Sequence, residues 1–336
     1  NANLSAVCIA QGAPASQIGL IGNPAAAQVN VLNSGNANLD VETADTYTVG
    51  VVFEPAMIPG LTLTVDYYSI KVADAISTPT AGDIIGACFN NLTAASAAHP
   101  ACTSIRRNTL TGSLDGAVSL GAFLPQPLSN LGKIKTKGFD FTANYRRDLG
   151  FAKLNLAFSG NYTDSSKFKA TPSALNRECV GLYSVNCSAG GGFEIGSVQP
   201  KFSFNQRTTL TFFEKYDVSL LWRHISGGNY EPLALQGEIA QAMTDGCADP
   251  TGADPDGCVT DPAFRSIKAA NYFDLSFRAE VFGKFELTAT IQNLFDKKPP
   301  AVGTGIGATA FNSGNTFPST YDPLGRRFAF GASFKF

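Results

Sequence analysis

The chain has 336 residues, a formal net charge of −2 and 33 glycines, with a mean hydropathy of +0.02. Its balanced charge, without any Lys/Arg run or interleaved basic and aromatic patch, gives no footing for nucleic-acid binding. Charges, Gly or Pro interrupt every apolar stretch well short of the roughly 18 residues a membrane-spanning helix needs.

Residues 1–40, rich in Asn, Ala and Gly, read as the tail of an external loop, and residues 41–336 as a succession of strands. Nine segments alternate apolar with polar residues, the period of two that gives a strand one greasy face and one wet face. In chain order the apolar sets are Tyr47, Val49, Val51 and Phe53; Leu61, Leu63, Val65 and Tyr67; and Phe139, Phe141, Ala143 and Tyr145. Next come Leu154, Leu156, Phe158 and Tyr162; Phe202, Phe204, Leu210 and Phe212; and Tyr216, Val218, Leu220 and Trp222. The last are Phe273, Leu275, Phe277, Ala279 and Val281; Phe285, Leu287, Ala289 and Ile291; and Phe328, Phe330, Ala332, Phe334 and Phe336.

The connections alternate as well. Arg147 to Gly150, Glu214 to Lys215 and Gly283 to Lys284 read as tight hairpin turns, and Glu54 to Gly60 as a slightly longer one. Between them lie the long connections Ala73 to Gly132, Thr163 to Gln199, Ile225 to Ala270 and Asp296 to Gly325. Short turns on one rim and long loops on the other are the asymmetry of an antiparallel transmembrane β-barrel, with the long loops outside the cell. Phe53, Tyr145, Phe151, Phe212, Phe213, Tyr216, Phe282, Phe285 and Phe336 crowd the short-turn rim, where amphipathic rings favour the headgroup level. The barrel reading makes outer-membrane lipid the first partner. An open sheet with an odd number of strands leaves unpaired edges in lipid, so further strands are expected upstream of Asn1.

Arg207, Arg223, Asp274, Arg278, Glu280 and Arg327 fall on the wet face and are candidates to line the lumen, where they meet solute or a plug, or simply pair with one another across strands.

The seven cysteines all fall in expected external loops or in residues 1–40. Cys88 and Cys102 share one loop, Cys179 and Cys187 the next, and Cys247 and Cys258 the third, so local disulfides are the simplest connectivity and suit an oxidising cell surface. Cys8 is left over, with its partner expected upstream. No CxxC pair or nearby His supports a metal site on these thiols. The acidic stretch from Asp249 to Asp261 offers oxygen ligands to calcium, yet it lacks EF-hand spacing and a closing Glu, and a solvated turn is the plainer reading. Around His99 and His224 there is no nucleophile arrangement, and Gly303 to Ala308 lacks the strand-to-helix setting of a dinucleotide site. The chain therefore reads as no enzyme and as needing no cofactor.

Four motifs in order carry a family resemblance. Asn36 through Leu39 and Glu42 to Gly50 has the form N-x-x-L-x-x-E followed eight residues later by G; Gly138-Phe-Asp-Phe141 has the form G-x-[DE]-[FL]; Asn293-Leu-Phe-Asp296 has the form N-L-F-[DN]; and Tyr321 through Gly325 and Arg326 to Phe328 leads into a Phe-terminated strand. Together they resemble the C-terminal portion of the TonB-dependent outer-membrane receptors, plugged barrels of about 22 strands. The resemblance implies an all-β fold contributing about nine C-terminal strands, an integral outer-membrane location in a Gram-negative bacterium, and TonB-dependent uptake of a scarce nutrient of the siderophore-iron, cobalamin or oligosaccharide class. It also implies a TonB partner acting through an upstream plug and box. Gly331, Phe334 and Phe336 resemble the terminal signal read by the barrel-assembly machinery, with Ala329 standing where a polar residue is usual. A passive porin-like channel and a surface-binding barrel are the alternatives, and the sequence does not name the ligand.

Overall fold

The computed structural model describes residues 1–22, 29–79, 81–169, 176–184, 187, 198–231, 265–302 and 315–334. Nine long strands dominate: β1 (Thr43–Phe53), β2 (Leu61–Ser77), β3 (Ser129–Asp148), β4 (Lys153–Lys169), β5 (Phe202–Phe212), β6 (Tyr216–Ile225), β7 (Ala270–Val281), β8 (Phe285–Gln292) and β9 (Arg327–Phe334). Each pairs antiparallel with the next in the order β1 to β9, and a two-residue strand, Arg177–Glu178, adds to β4. The sheet does not close on itself, since β1 and β9 are not paired with each other. It is a meander of hairpins, part of a barrel wall.

Register gathers the apolar sets onto one face. Val51 stands opposite Val65, Val65 opposite Phe141, and Ala143 opposite Phe158. Across the other half, Leu210 faces Val218, Val218 faces Phe277, Phe277 faces Ala289 and Ala289 faces Phe330. A slip of one residue anywhere would turn a whole strand's apolar set to the wet side. This face has no second layer: Val49 is 72%, Val51 62% and Phe330 82% exposed. Rows of exposed aromatic and aliphatic side chains on a long sheet suit hydrocarbon, not water.

The turns sort to one rim. Between β5 and β6, Phe213 (φ 52°) and Glu214 (φ 59°) are both left-handed and the Lys215 N–H donates to Phe212 O at 3.0 Å, a type I′ turn whose twist matches the flanking strands. Phe282 (φ 53°) and Gly283 (φ 68°) repeat the backbone form between β7 and β8.

Two expectations need revising. First, β2 runs to Ser77, β3 begins at Ser129 and β4 continues to Lys169, all further into the presumed loops than the apolar pattern reaches. The pattern ends where both faces become wet, but the hydrogen-bonded ladder goes on. Second, residues 1–40, read as part of an external loop, carry regular structure of their own. Helix α1 (Ala2–Ala10) is capped by Asn1, whose Oδ1 accepts from the N–H of Asn3 and Leu4, and Val31–Ser34 pairs in parallel with Leu124–Pro127 of the β2–β3 connection. That connection holds α2 (Ala81–Phe89) and α3 (Pro100–Thr103), and Val7 of α1 is fully buried with Ile84, Cys88, Cys102, Ile105 and Leu124. No helix among the described residues is long and apolar enough to cross a membrane.

Candidate functional site

The face opposite the aromatics carries the charges. Alternation puts Arg207, Arg223, Asp274, Arg278, Glu280 and Arg327 on it together, and cross-strand register sets their neighbours. Arg223 grips Asp274 with two hydrogen bonds, Nε to Oδ2 and Nη2 to Oδ1, each 3.1 Å, and lies 5.2 Å over the Tyr272 ring. Arg278 bridges two neighbouring strands, donating to Asp217 Oδ2 at 2.7 Å and to Glu286 Oε2 at 3.0 Å. Arg327 donates to Asp322 Oδ1 at 2.9 Å and to Gln292 Oε1 at 3.0 Å. Arg207 reaches the Ser219 hydroxyl at 3.0 Å. Glu280 stands opposite Glu286, and the charge of Glu286 is met by Arg278. Most of these groups are thus compensated within the wall, and guanidiniums held in forked geometry make it stiff as well as polar. On β2 and β3 the same face presents Asp66 opposite Asp140, an acidic stretch balanced by no arginine across the strand; Asp140 instead accepts from Asn161 Nδ2 at 2.8 Å.

The long connections pack into two clusters at the far rim. One contains α1, α2 and α3, with Cys88 and Cys102 joined as a disulfide, Cα atoms 4.8 Å apart. Gln11 stitches it together, donating to Cys102 O at 3.2 Å and accepting from Arg107 Nε at 2.7 Å; burial lowers the Arg107 pKa from its ordinary value. Cys8, on α1, is buried and unpaired. His99 caps α3, its Nδ1 accepting from the Ala101 N–H.

The second cluster is aromatic. Tyr183, Tyr272, Phe317 and Tyr321 are buried with Val198, Ile267, Ala270 and Val302, drawing together three separate connections that no local pattern links. Burial pushes the phenols of Tyr183 and Tyr321 up to about 12. The buried Glu231 accepts from Ser184 Oγ at 2.7 Å. Beside this cluster Cys179 and Cys187 are bonded, Cα atoms 5.4 Å apart. The clusters meet where Arg177 approaches Asp83 of α2 at 3.8 Å, both side chains only 6% exposed. Cys247, Cys258, the Asp249 to Asp261 stretch, Gly303 to Ala308 and Phe336 lie outside the described residues. Of the terminal signal, Gly331 lies against Thr288, whose Oγ1 would be 2.7 Å from an added Cβ, and Phe334 packs tilted against Phe285 with ring centroids 4.8 Å apart.

The family model described as TonB-dependent receptor-like β-barrel matches residues 10–294. The chain belongs to the TonB-dependent receptor-like β-barrel family. Solved receptors share its fold. A mutant of the ferric enterobactin receptor PfeA of Pseudomonas aeruginosa is 14% identical with a TM-score of 0.53, over 90% of this chain and 32% of that one. The siderophore receptor PirA of Acinetobacter baumannii is 15% identical with a TM-score of 0.52, over 91% of this chain and 33% of that one. The chain thus spans about a third of the length of the solved receptors it matches. No curated protein matches it.

The structure gives a physical reason for the TonB-dependent receptor motifs. Gly50 closes the first because the Asp66 carboxylate lies where its Cβ would be, 1.8 Å from Oδ1. Gly138 opens the second because an added Cβ would stand 2.2 Å from the Tyr162 carbonyl oxygen and 2.6 Å from the Tyr68 hydroxyl, which accepts from Asn161 Nδ2 at 3.2 Å. Asn293 of the third is fully buried, left-handed (φ 52°), and donates its backbone N–H to Asp274 Oδ1 at 2.8 Å.

Proposed function

We propose that this chain forms the C-terminal wall of an outer-membrane transporter that imports a scarce nutrient, with energy delivered by TonB through an upstream plug. The observation that carries the reading is the two-faced sheet: an uncovered apolar face on one side, and on the other a polar wall of paired charges leading up to packed loops. The disulfide-bonded loops present the capture surface, and the polar wall lines the route and meets the plug. Siderophore-bound iron is the favoured cargo class, in keeping with the enterobactin complex solved for PfeA; cobalamin and oligosaccharides remain in the set. The last strand is the part offered to the barrel-assembly machinery.

The test uses the full-length receptor in cells lacking any other uptake route. Labelled ferric siderophore, cobalamin and oligosaccharide are supplied in turn, with and without TonB. Uptake of one of them that stops when TonB is removed supports the reading. Uptake that continues without TonB makes the protein a passive channel, and loop binding with no uptake makes it a surface-binding barrel.

A further inference from the structure

On the lipid-facing side, the strands change character abruptly. The last aromatic row is Tyr67, Phe139 and Tyr162, mutually opposite on β2, β3 and β4, with the Tyr67 and Phe139 rings 5.4 Å apart. Two pleats further toward the loops, Lys71, Lys135 and Lys167 stand directly opposite one another across the same three strands. Beyond them Lys133 faces Lys169. None of these five ammonium groups has a hydrogen-bond or ion-pair partner among the described residues. Of the nearby carboxylates, Asp164 is taken by Lys137 at 2.5 Å and Glu178 by Ser165 Oγ and the Ser166 N–H, while Asp45 stands opposite Lys71. Like charges directly opposite on a sheet destabilise it, so the row calls for an anion from outside the chain.

Its height says where that anion is. Lys135 lies ten residues along β3 from Tyr145 at the short-turn rim, about 33 Å of strand and, at barrel tilt, about 25 Å across the membrane, the height of the apolar band. The row therefore sits at the headgroup level of the external leaflet. Below it, on the same strands, a groove of about 400 Å³ opens on the apolar face between Leu63, Val65, Phe141, Ala143 and Phe158, bounded by Phe202 of β5.

We propose that β2, β3 and β4 hold a phosphorylated, multiply acylated lipid of the external leaflet, with its phosphates on Lys71, Lys135 and Lys167 and an acyl chain in the groove beneath. Lysine suits phosphate as a mobile point charge, and the groove supplies the length of contact a soluble anion lacks. The inference rests on the outer-membrane placement proposed above, and needs no particular cargo.

Full-length receptor, delipidated in detergent, is titrated with bisphosphorylated lipid A, with its dephosphorylated form and with inorganic phosphate, and bound lipid is counted by native mass spectrometry. The bisphosphorylated lipid is expected to bind and to resist competition by inorganic phosphate. The triple variant Lys71→Glu, Lys135→Glu, Lys167→Glu is expected to weaken it about a hundredfold. Lys215→Glu with Lys284→Glu, at the opposite rim, leaves it unchanged. Retention of the heat-modifiable gel shift shows that each variant is folded. Equal binding of the dephosphorylated lipid, full competition by inorganic phosphate, or indifference to the triple variant overturns the inference. Failure of the transport reading registers separately, as absent uptake by a receptor that still binds the lipid.

Discussion

Asp296 accepts a 3.0 Å hydrogen bond through Oδ1 from the backbone N–H of Arg326, thirty residues further along the chain. This one contact docks the N-L-F-D turn onto the segment that leads into β9. Gly325 is part of it: its φ is +76°, and an added Cβ would stand 2.6 Å from the same carboxylate oxygen. Two motifs that look separate in the sequence are a single structural unit. Gly325→Ala is expected to cost about 1–2 kcal/mol, read as a lower unfolding midpoint in detergent.

The same contact sets a pH dependence. The Arg326 N–H and then Lys298 hold the Asp296 carboxyl below its ordinary value of 3.8. A depressed carboxylate contributes its full stabilisation above the unfolded pKa and loses it as pH falls through the folded one. Corrected for the intrinsic rate, hydrogen exchange at the Arg326 amide is expected to be slow at neutral pH and to quicken only as pH falls below 3.8. In Asp296→Ala it is fast throughout. An Arg326 amide that exchanges slowly in that variant would show that the contact does not hold the turn.

Tyr321 Oη is buried with no hydrogen-bond partner among the described residues, and burial raises its pKa to about 12. A phenol with a raised folded pKa keeps its contribution below the unfolded value near 10 and loses it as pH climbs from there toward 12. The aromatic loop cluster is therefore expected to open in strong alkali, seen as exposure of tyrosinate absorbance. Tyr321→Phe removes the unpaired hydroxyl and is expected to leave neutral-pH stability equal or higher by about 1 kcal/mol. A clear loss of stability in that variant would mean the hydroxyl has a partner.

Asp274 serves two donors at once, the Arg223 guanidinium and the Asn293 N–H. Asp274→Ala strands both beside a half-buried charge and is expected to cost about 3 kcal/mol in thermal unfolding. Asp274→Asn keeps the shape and one acceptor, so it costs less. An unchanged midpoint in Asp274→Ala would show that water already serves these groups.

Phe330 and Ala329 are neighbours on β9 that face opposite ways. Phe330→Arg puts a charge on the uncovered apolar face and is expected to cost about 2–4 kcal/mol and to lower the amount assembled in the membrane, whereas Ala329→Arg enters the wet side and assembles normally. Equal effects would contradict the assignment of faces.

How much of this is legible in sequence depends on the reach of each signal. Alternation of Phe328, Phe330, Ala332 and Phe334 needs only eight adjacent residues, and the nine strands follow from such local patterns. Charge pairs such as Arg223 with Asp274 need the register as well, and without it alternation does not say that Arg278 meets Asp217 and Glu286 or that Arg327 meets Asp322. The aromatic loop cluster has no local signature, since Tyr183 and Tyr321 become neighbours only after three connections fold back on the rim. Helix α2 did carry one: Ile84, Ile85, Cys88 and Phe89 fall at helical spacing inside a stretch read as loop. The lysine row lies beyond the last residue of each strand's apolar set, where the alternating pattern no longer reaches.

The Arg177 to Asp83 contact couples two loops that belong to different hairpins. Among the described residues one Arg177 nitrogen, Nη1, lacks a hydrogen-bond partner, so pulling Asp83 away removes the ion pair of a buried guanidinium. Neither flap can swing out by itself at small cost. The mouth of the barrel is expected to move there as one piece, with α2 and the Cys179 to Cys187 segment opening in step or not at all.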